Sequence, residues 1–521
     1  MISDVKLSEI FIGKADGSDE SQIDDFSNLF YRGNNKYDEL ANSSNKFILT
    51  GRKGTGKTIL AKYHEMIQNN KGIFSKTVTK DDIILKKLVE MGSAKLTREE
   101  QRNFIKYAIL TEIGELIIQN EAKCKKNLCS CKDKKLRKEL KHHLRELKNV
   151  LNFRYRSFDN FVQSSLEQSA ATEEELEGSL SSTLSLARSL RRASQSKKML
   201  YTKSNYLTLI NSLTDKIALL TTYNPITLIF DDLDEYDSSL NEDNINFLVD
   251  FLNITKKINQ NVLKKDKKNN RIIVLIRQDI LSTLNSNSHN ISKLLQDSTI
   301  YLNWLIKMEG KPSDNPLIDL VITKIQRSNQ RLWEYKKEEI FKMFFPDKIM
   351  KKPTLTYLYE NSFGRPRDIV NYLEIIRQEF PDKTSFEASC FTAMEMRYST
   401  RFLEELQNEL YIHYPREFIN ECIKVFDLLH RVTFQKEHVE QVLTEYGNQL
   451  THLKDASEFI GCMYKFGAIG MRIKVDIVSK KNKSKQTGYK CYWGYREDGR
   501  VNPDYNAEFI IHYGLKKSLI G

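Results

Sequence analysis

One stretch constrains the fold more than any other. The short β-type run Phe47-Ile48-Leu49-Thr50 enters Gly51-Arg52-Lys53-Gly54-Thr55-Gly56-Lys57-Thr58 and passes straight into the helical pattern Ile59-Leu60-Ala61-Lys62-Tyr63. Gly51, Gly56, Lys57 and Thr58 stand at the spacing G-x-x-x-x-G-K-[ST], and a strand before with a helix after separates a phosphate-binding loop from a chance match. The physical reason is local. Glycines let main-chain N–H groups turn inward on a phosphate without Cβ clashes, the helix adds the positive end of its dipole, and the Lys57 ammonium can span two phosphates. Thr58 can place its hydroxyl on Mg²⁺. The expected contact set for ATP is therefore Gly51, Arg52, Lys53, Gly54, Thr55, Gly56, Lys57, Thr58 and Ile59. A glycine-rich turn that holds nothing is the alternative.

A second run, Ile226-Thr227-Leu228-Ile229-Phe230, is β-branched and apolar as a buried parallel strand should be, and it ends in Asp231-Asp232-Leu233-Asp234-Glu235. A carboxylate at such a strand tip can hold Mg²⁺, which is the role expected of Asp231. Asp232 and Glu235 compete to orient the attacking water, with Asp234 near. These acids could instead cap a helix. The next strand, 271–276, delivers Arg277 at its end, within reach of a terminal phosphate. Farther on, Gly364-Arg365-Pro366-Arg367 fixes a sharp helix entry from which Arg367 or Arg365 can point at the nucleotide, or either can stand as an ordinary surface arginine. Ahead of the loop, Tyr31, Arg32 and Asn34 are candidates for adenine contacts, or part of a helix and turn packed on the sheet.

The 521 residues suffice for two to four domains, and 40% hydrophobic with 29% charged residues is globular composition. No apolar run reaches the roughly 18 residues of a membrane span, and residues 1–11 lack the order of a signal peptide, so a cytoplasmic protein with no membrane partner is expected. The formal net charge of +12 favours polyanions only weakly, because part of the excess sits in short lysine runs. One of these surrounds Leu136, Leu140, Leu144, Leu147 and Leu151, an amphipathic helix with a basic outer face. Residues 85–120 also have helical spacing, and 164–196, rich in Ser, Glu and Leu, read as a linker or loosely packed arm. Cys124, Cys129 and Cys131, with His142 and His143 downstream, raise the question of zinc; their spacing is crowded and the histidines fall inside the helix, so a reduced cysteine cluster is the expectation.

Toward the end, 417–429, 438–446 and 456–466 read as three helices and 471–478 with 489–495 as a hairpin, which is winged-helix order. Lys480, Lys481, Lys483 and Lys485 at its tip could touch a DNA backbone or form a solvated loop on a domain packed against the core. His512 is expected to pack or cap.

Taken together, these residues resemble the STAND and origin-recognition-like branches of the AAA+ ATPases, and more closely a bacterial P-loop ATPase family with FYRGNNKYDELA, IFDDLDEYD and GRPRDIVNYLE-type segments. The likeness covers 26–58, 225–281 and 355 onward. It implies an α/β fold: a P-loop NTPase parallel sheet with the acidic-tip and Arg277 strands flanking the loop strand, a helical lid and a C-terminal winged helix. The chain departs from it between Thr58 and Asp231, where a long helical insertion must lie. The layout expected is 1–95 and 206–305 for the ATPase core, 96–205 for the insertion, 306–410 for the lid and 411–521 for the winged helix. The resemblance also implies an ATP-driven switch, a homo-oligomer completed by a neighbour's arginine (Arg327 and Arg401 are candidates), a partner effector protein, and a place in bacterial conflict systems such as defence against phage.

Overall fold

The computed structural model describes residues 4–79, 97–129, 131–152, 207–233, 242–264, 266, 269–287, 291–304, 311–478, 485–496 and 502–520. Five short apolar runs make one sheet: β1 (Ile48–Gly51), β2 (Phe74–Val78), β3 (Ile226–Phe230), β4 (Arg271–Arg277) and β5 (Thr299–Tyr301), in the order β2-β3-β4-β1-β5. Every pairing is parallel. Parallel strands are joined by crossovers and need both faces covered, and alternate residues divide accordingly. Leu49, Ile229, Ile273 and Leu275 pack with Leu60, Ala61 and Tyr63 of the helix Lys57–Asn70. Ile48, Leu228, Phe230, Ile272 and Val274 pack with Phe104, Ile109 and Leu248 on the other face.

The strand order corrects one expectation. β4 does flank β1, with Gly51 opposite Arg277, but β5 holds the other side and the acidic-tip strand β3 lies one place farther out. Its tip still reaches the loop because the helix Lys57–Asn70, running from β1 toward β2 at the edge, crosses the sheet and packs on both β3 and β2.

The helix Arg98–Gln119 opens on a capping box between Thr97 and Glu100 and packs on β2 and on the helix Glu242–Asn261. Against it lies Lys134–Asn152, with Leu140, Leu144 and Leu147 buried and Lys134, Lys138, Arg145 and Lys148 exposed. Of the expected helical stretch 85–120, residues 85–96 lie outside the described residues, as does 164–196.

A helical region follows, with Pro316–Ser328, Pro366–Glu379 and Ala388–Leu410 as its longer members. Asn315 caps the first by accepting from the Leu317 and Ile318 N–H groups, and is itself fixed by the Tyr359 hydroxyl at 2.6 Å. Beyond it stand Arg416–Leu429, Lys436–Tyr446 and Ala456–Phe466, with an antiparallel sheet of β6 (Thr433–Phe434), β7 (Ile469–Val478), β8 (Lys485–Trp493) and β9 (Glu508–Ile511) in the order β8-β7-β9-β6. These elements share one apolar core with the preceding helices, Phe363 and Phe402 packing with Ile469 and Leu515. His512 is fully buried there and caps Gly514 through Nδ1. Among the described residues no helix is long and apolar enough to cross a membrane.

Candidate functional site

The β1 strand stops at Gly51, and the chain turns through Gly54 and Gly56, at φ of +81° and +91°, before the helix begins at Lys57. That left-handed backbone suits glycine alone without strain. Lys57 Nζ donates to the Gly51 and Arg52 carbonyls at 3.1 and 3.4 Å, and Thr55 Oγ1 to the Arg52 carbonyl at 2.8 Å, which ties the loop into a closed turn. One residue into the helix, Thr58 Oγ1 donates to Asp231 Oδ2 at 2.8 Å. Asp231 is buried, and its Oδ1 accepts the Asp232 N–H at 3.0 Å. Asp232 has φ +60°, a conformation that aspartate tolerates better than most residues and that costs about 1 kcal/mol or more.

Apart from Gly51 and Arg52, which were expected to contact the ligand and do not face it, these groups line a cavity of ≈ 340 Å³. Lys53, Gly54, Thr55, Gly56, Lys57, Thr58 and Ile59 all face it, as do Asp231, Asp232, Arg277 and Arg367. Tyr31 and Asn34 line it too, although the Tyr31 hydroxyl is committed to Asp319 at 2.9 Å. Sequence reasoning missed Trp304, whose indole N–H donates to the Thr55 carbonyl at 2.9 Å, and the wall residues Leu320 and Val370. It also missed Glu20 and Lys324, a buried ion pair on the same wall.

Several expected residues sit elsewhere. Arg32 pairs with Asp38 and stacks over the Tyr37 ring, 4.8 Å from its centroid, and does not line the cavity. Arg52 also turns away: it donates to Glu409 and to the Phe466 carbonyl, both at 3.2 Å, and lies over the Phe363 and Tyr495 rings. Glu235 and Asp234 lie outside the described residues. Arg277 reaches the cavity with its guanidinium held by Asp279, which is also 2.8 Å from His413 Nε2. Burial alone would raise the Asp279 pKa, but His413 and Arg277 hold it well below the usual carboxylate range.

Arg365 and Arg367 divide their work. Arg365 is fully buried between Asp368 and Glu409 and donates to the Lys53 carbonyl at 3.1 Å. Burial pushes the Glu409 carboxyl up, yet Arg365, Arg52 and Arg277 outweigh it and hold the pKa at about 2. Arg367 instead lines the cavity; its N–H donates to the Gly54 carbonyl at 3.3 Å and its side chain to the Ala15 carbonyl and Glu405. A Cβ on Gly54 would stand 2.9 Å from Arg367 Cβ, so the loop and the helix Pro366–Glu379 are in direct contact.

Arg327 donates to the Asn28 and Phe30 carbonyls, tying down the N-terminal segment, and Arg401 is exposed. Burial pushes the Cys124 thiol up to about 12, Cys131 is buried, and Cys129 is exposed. His142 and His143 pair with Glu146 and Glu139 on their own helix. Among the described residues no three His, Cys, Asp or Glu side chains are grouped to hold a metal ion. Lys480, Lys481 and Lys483 lie outside the described residues.

No curated protein and no solved structure matches the chain. Residues 315–407, the stretch that supplies Lys324, Arg365 and Arg367 to the loop and its cavity, match the model of a FunZ-associated C-terminal helical domain.

Proposed function

We propose that the chain binds ATP with Mg²⁺ and hydrolyses it as a switch of the AAA+/STAND kind, coupling nucleotide state to oligomerisation or to control of a partner. The observation that carries this reading is the 2.8 Å contact between Thr58 Oγ1 and Asp231 Oδ2, groups 173 positions apart that meet on the wall of one cavity. Both are hard oxygen donors of the sort Mg²⁺ takes alongside water and phosphate oxygens. Bound there, the ion would neutralise charge on the phosphoryl oxygens. The protein's own share is positioning. Lys57 and the first-turn N–H groups of its helix hold the phosphates, and Asp231 fixes the Thr58 hydroxyl. Asp232 or Glu235 orients the water. Arg277 and Arg367 pass the presence of the terminal phosphate to Asp279 and Glu405, their partners on the protein side. An ATP-gated DNA-binding protein is the second reading, supported by the C-terminal three helices and hairpin with exposed Lys474 and Lys490.

The test is calorimetric titration of ATP with and without Mg²⁺, alongside phosphate release, on the native chain and on Lys57→Ala, Asp232→Asn and Glu235→Gln. Lys57→Ala is expected to lose ATP binding. Whichever carboxylate orients the water lowers kcat about a hundredfold on substitution while ATP still binds. A native chain that takes up no ATP sinks the proposal.

A further inference from the structure

Glu20 and Lys324 form an ion pair on the cavity wall with side chains only 2% and 4% exposed. Such a pair is a poor device for joining an N-terminal segment to a helix, because the cost of desolvating two charges offsets most of their attraction. Burial lowers the Lys324 pKa, and Glu20 restores part of the loss. On a cavity wall the pair has another use, since it presents a fixed hydrogen-bond acceptor beside a fixed donor. Glu20 already accepts the Lys14 N–H at 2.8 Å, which fixes its carboxylate. Both groups keep hydrogen-bonding capacity: a carboxylate has about four lone-pair sites and an ammonium three N–H donors.

Their place relative to the loop is set by one helix. Arg367 Cβ lies against Gly54, and Val370, three residues on and so about 4.5 Å along the axis, lies against Gly13. A Cβ on Gly13 would stand 3.1 Å from Lys324 Nζ, 3.2 Å from Glu20 Oε2 and 3.2 Å from Val370 Cγ2, so all three converge there. The pair therefore lies toward the Val370 end of this helix on the same cavity, away from the Arg367 end that touches the loop. Ribose and base must extend away from the cradle. Phe30, Tyr31, Leu320 and Val370 supply an apolar wall fit for a planar ring.

We propose that the Glu20–Lys324 pair reads the polar edge of the purine base, Glu20 accepting from the exocyclic amino group of adenine and Lys324 donating to the adjacent ring nitrogen. This rests on the nucleotide reading of the cavity and adds its base specificity. Inosine triphosphate reverses both groups, placing a carbonyl before the carboxylate and an N–H before the ammonium. The wild-type chain therefore binds Mg·ATP at least about tenfold more tightly than Mg·ITP. In the double variant Glu20→Gln with Lys324→Met the ratio falls close to one, while tripolyphosphate with Mg²⁺, which carries no base, reports whether fold and phosphate cradle survive. Equal affinity of the wild-type chain for ATP and ITP overturns the inference, whatever the variant's folding. An unchanged ratio in a double variant that still binds tripolyphosphate overturns it too. A wild-type chain that binds neither nucleotide removes the nucleotide reading itself, so the two failures are told apart.

Discussion

Arg52 stands second in the loop, where an arginine facing a ligand and one facing another domain look the same as letters. Its partners decide the matter: Glu409 and the Phe466 carbonyl take it, and Glu409 also carries Arg365. Glu409 therefore serves one fully buried cation, Arg365, and one partly exposed, Arg52, and Glu409→Gln leaves both under-compensated. Loss of about 3 kcal/mol at pH 7 is expected, read as a lower melting temperature. The pH dependence has a definite sign. A folded pKa near 2, against an ordinary value near 4.5, means the unfolded chain takes up the proton first. The stabilisation is complete above about pH 4.5 and fades as the pH falls toward 2. Thermal melts across that window should be flatter for the variant than for the native chain; parallel curves would remove Glu409 from the account. The meeting of Asp231 with the loop was legible because a carboxylate closing a buried parallel strand stands at the end of the sheet where the loop also lies. Glu20 and Lys324 were not, because charges in short amphipathic segments usually face water.

Among the elements, the strand, loop and helix around Gly51 were readable because glycine spacing and periodicity change sharply within a dozen residues. The sheet order was not readable, since buried parallel strands all appear as apolar runs and nothing in β3 or β4 names its neighbour. The packing of the loop on the helix Pro366–Glu379 was equally hidden, although it is close enough to be tested with one methyl group. Gly54→Ala meets both a left-handed backbone and Arg367, and ATP affinity is expected to fall about tenfold. Gly72 has the same φ of +81° with nothing within 4 Å, so Gly72→Ala carries the backbone cost without the steric clash. Unaltered ATP binding in Gly72→Ala with weakened binding in Gly54→Ala isolates the contact with Arg367. Equal effects would reduce the approach of the loop to Arg367 to a packing detail.

For the molecule as a whole, the C-terminal elements share a core with the helical region, so their position is fixed from inside while the hairpin carries exposed lysines outward. This makes the DNA reading separable from the nucleotide reading. Replacing Lys480, Lys481, Lys483 and Lys485 with alanine should leave ATP turnover intact. If the hairpin binds DNA, affinity falls, and the salt slope of log K drops by about 0.9 for each phosphate that is no longer neutralised. DNA affinity unaffected by all four changes confines this domain to packing. The attachment of Arg52 has one more consequence, for how the protein is made. Its carbonyl partner lies 414 positions later in the chain. A ribosome that has finished the loop must still deliver roughly four hundred residues before that arginine finds its seat. A motif translated well ahead of its partner is thus finished late, and a product truncated before Phe466 would emerge with its loop unfastened.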